Sequence, residues 1–222
     1  MKGAVVLAGG FSTRFGDADK AVADVAGEPM IRRVVSTVAP LVDDIVVNVR
    51  TDQRRSIETA LADLDVQYGF AFDDVPDRGP LAGMVVGLER SAAEYTLVVA
   101  CDMPFVDRKF VETLFERANG TEAAIPVERG EDGEWLQPLQ AVYETDRTLR
   151  VTSEALEDGI ESPATAVGRL SFDAVPVSGD GERWSLRNVN TPADRREAER
   201  YVERSQEETA ESAFSDSPNG VR

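Results

Sequence analysis

Residues 5–20 read VVLAGGFSTRFGDADK. An apolar run stops at a double glycine, and hydroxyls, an arginine, acids and a lysine follow. Ala4–Leu7 reads as a short buried strand, and the turn after it is chemically loaded. Gly9 and Gly10 lack Cβ atoms where backbone would approach a flat or charged ligand closely. Ser12, Thr13 and Arg14 offer donors, Gly16 permits a second sharp turn, and Lys20 supplies a point charge. A polyphosphate would use all of these. The spacing is neither G-x-G-x-x-G nor G-x-x-x-x-G-K-[ST], because residues 17–19 separate Gly16 from Lys20. The alternative is an ordinary strand-to-helix turn with incidental charges; Arg14 and Lys20 together favour the ligand.

Outward from this stretch, strands and helices alternate. Pro29–Pro40 carries apolar residues at Met30, Ile31, Val34, Val35 and Val38, a helical period with proline suited to the first turn. Ile45–Val49 reads as a second strand, followed by a helix to about Leu64 and a third strand at Gln67–Phe72. A helix over Pro80–Arg90 and a strand over Thr96–Ala100 come next, and then a helix capped by Asp107 that ends near Ala118. Ala123–Val127 and Leu139–Tyr143 read as strands separated by the charged loop ERGEDGEWLQP. A helix around Asp146–Leu156 and a strand near Ala174–Val177 follow. Thr191, Pro192 and Asp194 open the last helix. From about Ser205 the sequence loses apolar periodicity, so a domain over 1–204 is expected, with a disordered acidic tail over 205–222. The alternation implies an α/β fold with a mostly parallel, doubly wound sheet, in which ligands bind beyond the carboxyl ends of the strands.

That rule directs attention to the other strand-end loops. In VVACDMPF, Asp102 follows four apolar residues and should stand at the sheet edge facing the first loop, where one carboxylate can hold Mg²⁺. A turn or capping role is the alternative, but Asp107 already occupies the capping position. In RGPLAGM, residues 78–84, a helix start offers free N–H groups to an anion or a base edge. Asn48, Asp73 and Asp74 sit at the ends of the second and third strands, as nucleotide contacts or as plain turn residues. In RNVNTPAD, Asn188 and Asn190 share one face of an extended stretch and can meet a phosphate or a metal shell. Four modest signals converge on one pole of one sheet, which points to a nucleotide and Mg²⁺.

Composition removes other chemistries. The chain has 222 residues, no His and one cysteine, Cys101, which excludes an internal disulfide and Ser–His–Asp triads and removes the commonest zinc ligand. A formal net charge of −17 is the wrong sign for broad nucleic-acid binding. The acids are spread over helices, and with only three Lys the surface is similar to that of proteins from salt-loving cytoplasms. No apolar run approaches a membrane span, and residues 1–8 read as a strand, so a cytoplasmic location is expected.

The segments LAGGFSTRFGDADK, FDD before GPLAG, ACDMPF, QPLQAVY and NVNTPAD, in this order, resemble the molybdenum cofactor guanylyltransferases over roughly residues 3–202. The resemblance implies a three-layer, Rossmann-like, nucleotide-diphospho-sugar transferase-like fold. It implies transfer of GMP from GTP to molybdopterin, or its molybdenum form, with Mg²⁺ required and pyrophosphate released. By matching position, Leu7, Ala8, Gly9, Lys20, Asn48, Asp73 and Asp102 would bind GTP, and Asp102 would also hold the metal. Arg14, Lys20 and Asp102 would act in catalysis, and Asn188 and Asn190 would lie near the pterin phosphate. Partners on this basis are GTP, the pterin, other cofactor-biosynthesis proteins and a recipient molybdoenzyme. Three alternatives stay open: a cytidylyltransferase for the same pterin, a cobinamide-phosphate guanylyltransferase, and a noncatalytic GTP-binding delivery protein.

Overall fold

In strand β1 (Lys2–Leu7), Ala4 and Val6 belong to one apolar cluster and Val5 and Leu7 to another, and all four are buried. Side chains alternate across a strand, so a strand apolar on both faces must be covered on both. The computed structural model describes residues 1–10, 20–73, 78–130 and 133–215, of which 207–215 are described in backbone only. Within it, β1 is parallel to β4 (Asp44–Val49) on one side and to β6 (Tyr95–Ala100) on the other. β5 (Gly69–Phe72) extends the sheet beyond β4, again parallel.

Beyond β6 the direction changes. β9 (Gln140–Glu144) is antiparallel to β6 and to β7 (Ala123–Gly130), β10 (Phe172–Pro176) is parallel to β7, and β8 (Gly133–Leu136) hairpins onto β7. The eight-stranded sheet therefore runs β10-β7-β9-β6-β1-β4-β5 with β8 attached. Helices α1 (Met30–Val38), α2 (Arg54–Leu61) and α4 (Arg108–Ala118) cover one face. Helices α3 (Gly79–Arg90), α5 (Thr145–Glu157) and α6 (Pro163–Val167) cover the other. This is the expected three-layer, mostly parallel α/β fold. A two-strand ribbon, β2 (Asp24–Val25) with β3 (Glu28–Pro29), and α8 (Pro192–Ser215) share a small third cluster of Val25, Met30, Val189 and Ala198. No helix among the described residues is long and apolar enough to cross a membrane.

Several boundaries differ from the sequence reading. The charged loop before β9 contains β8, whose pairing with β7 lies at a sheet edge and needs no apolar period. Helices α6 and α7 (Asp180–Ser185) are too short to show helical periodicity. Helix α8 continues through Ser215, beyond the boundary expected near Ser205, on a run rich in Glu and Ala that favours helix without a packed face. Helix α4 is capped as read: Asp107 Oδ1 accepts from Phe110 N at 2.8 Å.

Helix α3 approaches the sheet closely because Gly83 and Gly87, one turn apart, turn their missing side chains toward it. A Cβ at Gly87 would lie 2.3 Å from Val5 Cγ1, and one at Gly83 would lie 2.5 Å from Asn48 Oδ1. Val5 is fully buried and cannot swing away. Replacing glycine inside a helix ordinarily stabilises by up to about 1 kcal/mol. We expect Gly87→Ala to do the reverse, with crowding of about 1–3 kcal/mol outweighing the propensity gain, read as a lower denaturation midpoint. A stabilised variant would contradict the close approach.

Candidate active site

The carboxyl ends of β1, β4, β5 and β6 fall at one edge of the sheet, because all four are mutually parallel. The amino end of β9 reaches the same edge through its reversed direction, and Leu139 O accepts from Ala100 N there. The strand order departs in both directions from β1, the crevice where ligands sit in open α/β sheets. A cavity of about 380 Å³ opens at this place, walled by the ends of these strands and by the start of α3.

Two residues that are 82 positions apart meet in it: Lys20 Nζ lies 2.5 Å from Asp102 Oδ2. Lys20 also donates to Asn190 Oδ1. An ammonium has three donors, so one remains for a ligand. Both side chains are mostly shielded, with 15% and 19% exposed. Asp102 Oδ1 is buried and meets no hydrogen-bond partner among the described residues. A buried carboxylate oxygen without a partner is costly to leave so. A single carboxylate fits Mg²⁺, which takes one or two protein oxygens and completes its shell with water and substrate phosphate. No group of three or more ligating residues exists among the described residues, so any metal held here must share its shell with a ligand.

The second face of the cavity is neutral and acidic. Asn48 is 2% exposed, and its Nδ2 donates to Asp73 Oδ1 at 2.7 Å. A Cβ at Gly9 would lie 2.1 Å from Asp73 Oδ2, so the close approach inferred for that glycine is to a carboxylate of the protein as well as to the cavity. Gly10 has open space where its Cβ would be, and crowding does not require glycine there. Leu7 and Ala8 line the cavity, but their carbonyls and the Ala8 amide are engaged internally. Leu7 O accepts from Cys101 N, Ala8 N donates to Asn48 O, and Ala8 O accepts from Gln53.

The segment before α8 is placed as its alternation requires. Val189 is buried and its N donates to Asp102 O at 2.8 Å, while Asn188 lines the cavity and Asn190 holds Lys20. Asp194 Oδ2 accepts from the N–H groups of Asn190 and Thr191, and Thr191 Oγ1 caps Asp194 N, which fixes the turn carrying both asparagines. Arg78 and the start of α3 complete the rim, without a side-chain cap at the helix N-terminus. Arg14, Ser12, Thr13, Gly16 and Asp74 lie outside the described residues.

Two residues of this neighbourhood escaped the sequence reading. Arg50 and Gln53, directly after β4, contact the carbonyls of residues 8–10. The rule that located Asn48 at a strand end applies equally to the turn that follows it. Arg50 also holds the Asp52 carboxyl below its usual range, chiefly through side-chain hydrogen bonds. Gln140 of QPLQAVY is fully buried and donates to Ser185 Oγ at 2.5 Å, and Ser185 in turn accepts from Asp107 N at 2.9 Å. Its place in that segment is to brace the loop after Asp102, not to face the cavity.

Comparison with known proteins agrees with this geometry. The family model described as a MobA-like NTP transferase domain matches residues 4–169. A protein of Natronomonas pharaonis described as a probable molybdenum cofactor guanylyltransferase is 42% identical over 193 residues, 86% of this chain and 93% of that one. The molybdenum cofactor guanylyltransferase of Pseudomonas putida is 35% identical over 188 residues, 85% and 92% of the two chains. The crystal structure of molybdopterin-guanine dinucleotide biosynthesis protein A from Archaeoglobus fulgidus has a TM-score of 0.73 at 25% identity, covering 92% of this chain and all of that one. A 2-C-methyl-D-erythritol 4-phosphate cytidylyltransferase from Thermus thermophilus, at 18% identity and a TM-score of 0.67 over 91% of this chain and 100% of that one, shares the fold. With its strand ends, cavity and sequence all in agreement, this chain belongs to the MobA-like NTP transferases, in the family of molybdenum cofactor guanylyltransferases.

Proposed function

We propose that the chain transfers GMP from GTP to the terminal phosphate of molybdopterin or molybdenum cofactor, giving molybdopterin guanine dinucleotide and pyrophosphate. The observation that carries the site assignment is the contact between Lys20 and Asp102, with one Asp102 oxygen buried and unpartnered among the described residues. A phosphate oxygen of the acceptor attacks the α-phosphorus of GTP. The bond from that phosphorus to the bridging oxygen breaks, and its electron pair leaves on pyrophosphate. The attacking monoester is already anionic, so a chain without His needs no general base for this step.

What the protein supplies is position and charge. Lys20, fixed by Asp102 and Asn190, presents its remaining donor to a phosphate oxygen. Arg14 and Arg78 add positive charge around the triphosphate, which matters in a chain of net charge −17. Asn48 and Asp73 line the nucleotide side, with Leu7, Ala8 and Gly9 as its floor. Asn188 and Asn190 sit where the acceptor phosphate would enter. Mg²⁺, held through Asp102, would polarise the α-phosphate and offset the charge of the departing pyrophosphate. The partners on this reading are GTP, the pterin and, downstream, the recipient molybdoenzyme.

Pyrophosphate release from a panel of nucleoside triphosphates, with molybdopterin or cobinamide phosphate as acceptor, tests the reading. Turnover with GTP and molybdopterin alone is expected; preference for CTP or for cobinamide phosphate overturns it. Lys20→Ala and Asp102→Asn should each lower turnover by about 10²–10³ with the melting temperature little changed. Near-normal release by either variant removes that residue from the chemistry. Chelation by EDTA should stop the reaction and Mg²⁺ restore it, with Asp102→Asn requiring more Mg²⁺ for half-maximal rate.

A further inference from the structure

We infer that Arg50 and Gln53 are positioning residues that hold the Gly9 and Gly10 amides as hydrogen-bond donors to the nucleotide, an inference that rests on the nucleotide reading of the cavity. Gln53 Nε2 donates to Ala8 O at 3.0 Å. A single guanidinium nitrogen of Arg50, Nη1, donates to both Gly9 O and Gly10 O at 3.1 Å. Three consecutive carbonyls after β1 are thus drawn to one side. The clamp is itself fixed. Gln53 Oε1 accepts from Arg50 N at 3.0 Å, and Asp52 accepts from Arg50 Nε and Nη2 at 3.1 and 3.3 Å. Arg50 is 9% exposed and Gln53 2%, so neither is a solvated surface residue.

Peptide planarity turns this into a statement about donors. In a trans peptide the N–H points opposite to the carbonyl of the same unit, and no cis peptide occurs among the described residues. Holding Ala8 O therefore aims Gly9 N–H away from Gln53, and holding Gly9 O aims Gly10 N–H away from Arg50. Among the described residues neither amide meets an acceptor. Gly9 and Gly10 line the cavity, whereas Arg50 and Gln53 do not. The two free donors consequently belong to the ligand side and the carbonyls to the clamp side.

Glycine makes the clamp necessary. Backbone at Gly9 and Gly10 can rotate between alternatives at little cost, and a reversed peptide would present a carbonyl to the ligand. Asp73 and Asp102 already put two carboxylates on the cavity. Added carbonyl oxygens would repel an anionic nucleotide, while amide donors attract its acceptor atoms. A guanidinium bonded to two carbonyls also polarises the attached amides and strengthens them as donors.

Three variants of the full chain test this. Arg50→Met removes the donors but keeps the aliphatic stem, Gln53→Glu keeps the acceptor for Arg50 N and removes the donor to Ala8, and Arg50→Lys retains a cationic donor. Calorimetry with Mg²⁺ and GTP should show affinity lowered about tenfold in Arg50→Met and Gln53→Glu, the loss of one charged or buried hydrogen bond. The KM for GTP should rise in parallel, the KM for the pterin acceptor should stay as in the native protein, and Arg50→Lys should recover most of the binding. With ¹⁵N-glycine labelling, GTP should shift the Gly9 and Gly10 amide signals of the native protein. Unchanged GTP affinity beside a lowered melting temperature would make the pair a structural brace only and overturn the inference. So would GTP saturation that moves other glycine signals and leaves those of Gly9 and Gly10 in place. A native protein that binds no nucleoside triphosphate would remove the nucleotide reading and this inference with it.

Discussion

Parallel pairing of β1 between β4 and β6 is the constraint from which the site follows. In register, Leu7 stands beside both Asn48 and Ala100, so three chain segments end their strands at one level. Each then releases its polar residues into the same space: Gly9 and Gly10 after β1, Arg50 and Gln53 after β4, Asp102 after β6. Backbone hydrogen bonds carry the alignment past the strand ends, from Ala8 N to Asn48 O and from Cys101 N to Leu7 O. Sliding one strand by a single residue would reverse its inward and outward faces and move its terminal carboxylate or amide out of reach.

Charge is then distributed unevenly over a strongly acidic chain. The cavity keeps Lys20 against Asp102, Arg78 at the rim and two backbone amides on its floor. A fixed dipole is useful in such a setting, because an amide donor attracts an anion without adding a mobile side chain. Asp102 has a divided role in the same economy of charge: one oxygen holds Lys20 and the other is left without a partner among the described residues. The short distance between Lys20 and Asp102 brings a cationic donor and a metal-binding oxygen to the same phosphates.

Much of this was legible before any coordinates. The apolar runs at Ala4–Leu7, Ile45–Val49 and Thr96–Ala100 are strands because they are too short and too uniformly apolar for surface helices, and each ends in a polar residue. Strand-end chemistry located Lys20, Asn48, Asp73, Asp102 and Asn188 on one cavity. Asn190 was placed with them, although it meets Lys20 instead of lining the space. Arg50 and Gln53 were missed because their partners are backbone carbonyls, which no residue type announces. Gly83 was read as part of an anion-binding helix start, and it also allows α3 to lie against Asn48.

Sequence alone determined the alternation of elements, the two-sided burial of the central strands and the residue types available at their ends, since periodicity and side-chain chemistry are local properties. Tertiary structure decided which of those ends share a cavity, that β9 enters it backwards, and which way the peptides at Gly9 and Gly10 face. Those depend on contacts between residues 40 to 170 positions apart, from Arg50 with Gly10 to Lys20 with Asn190. No local pattern encodes such distances; they exist only once the sheet has set its order and register.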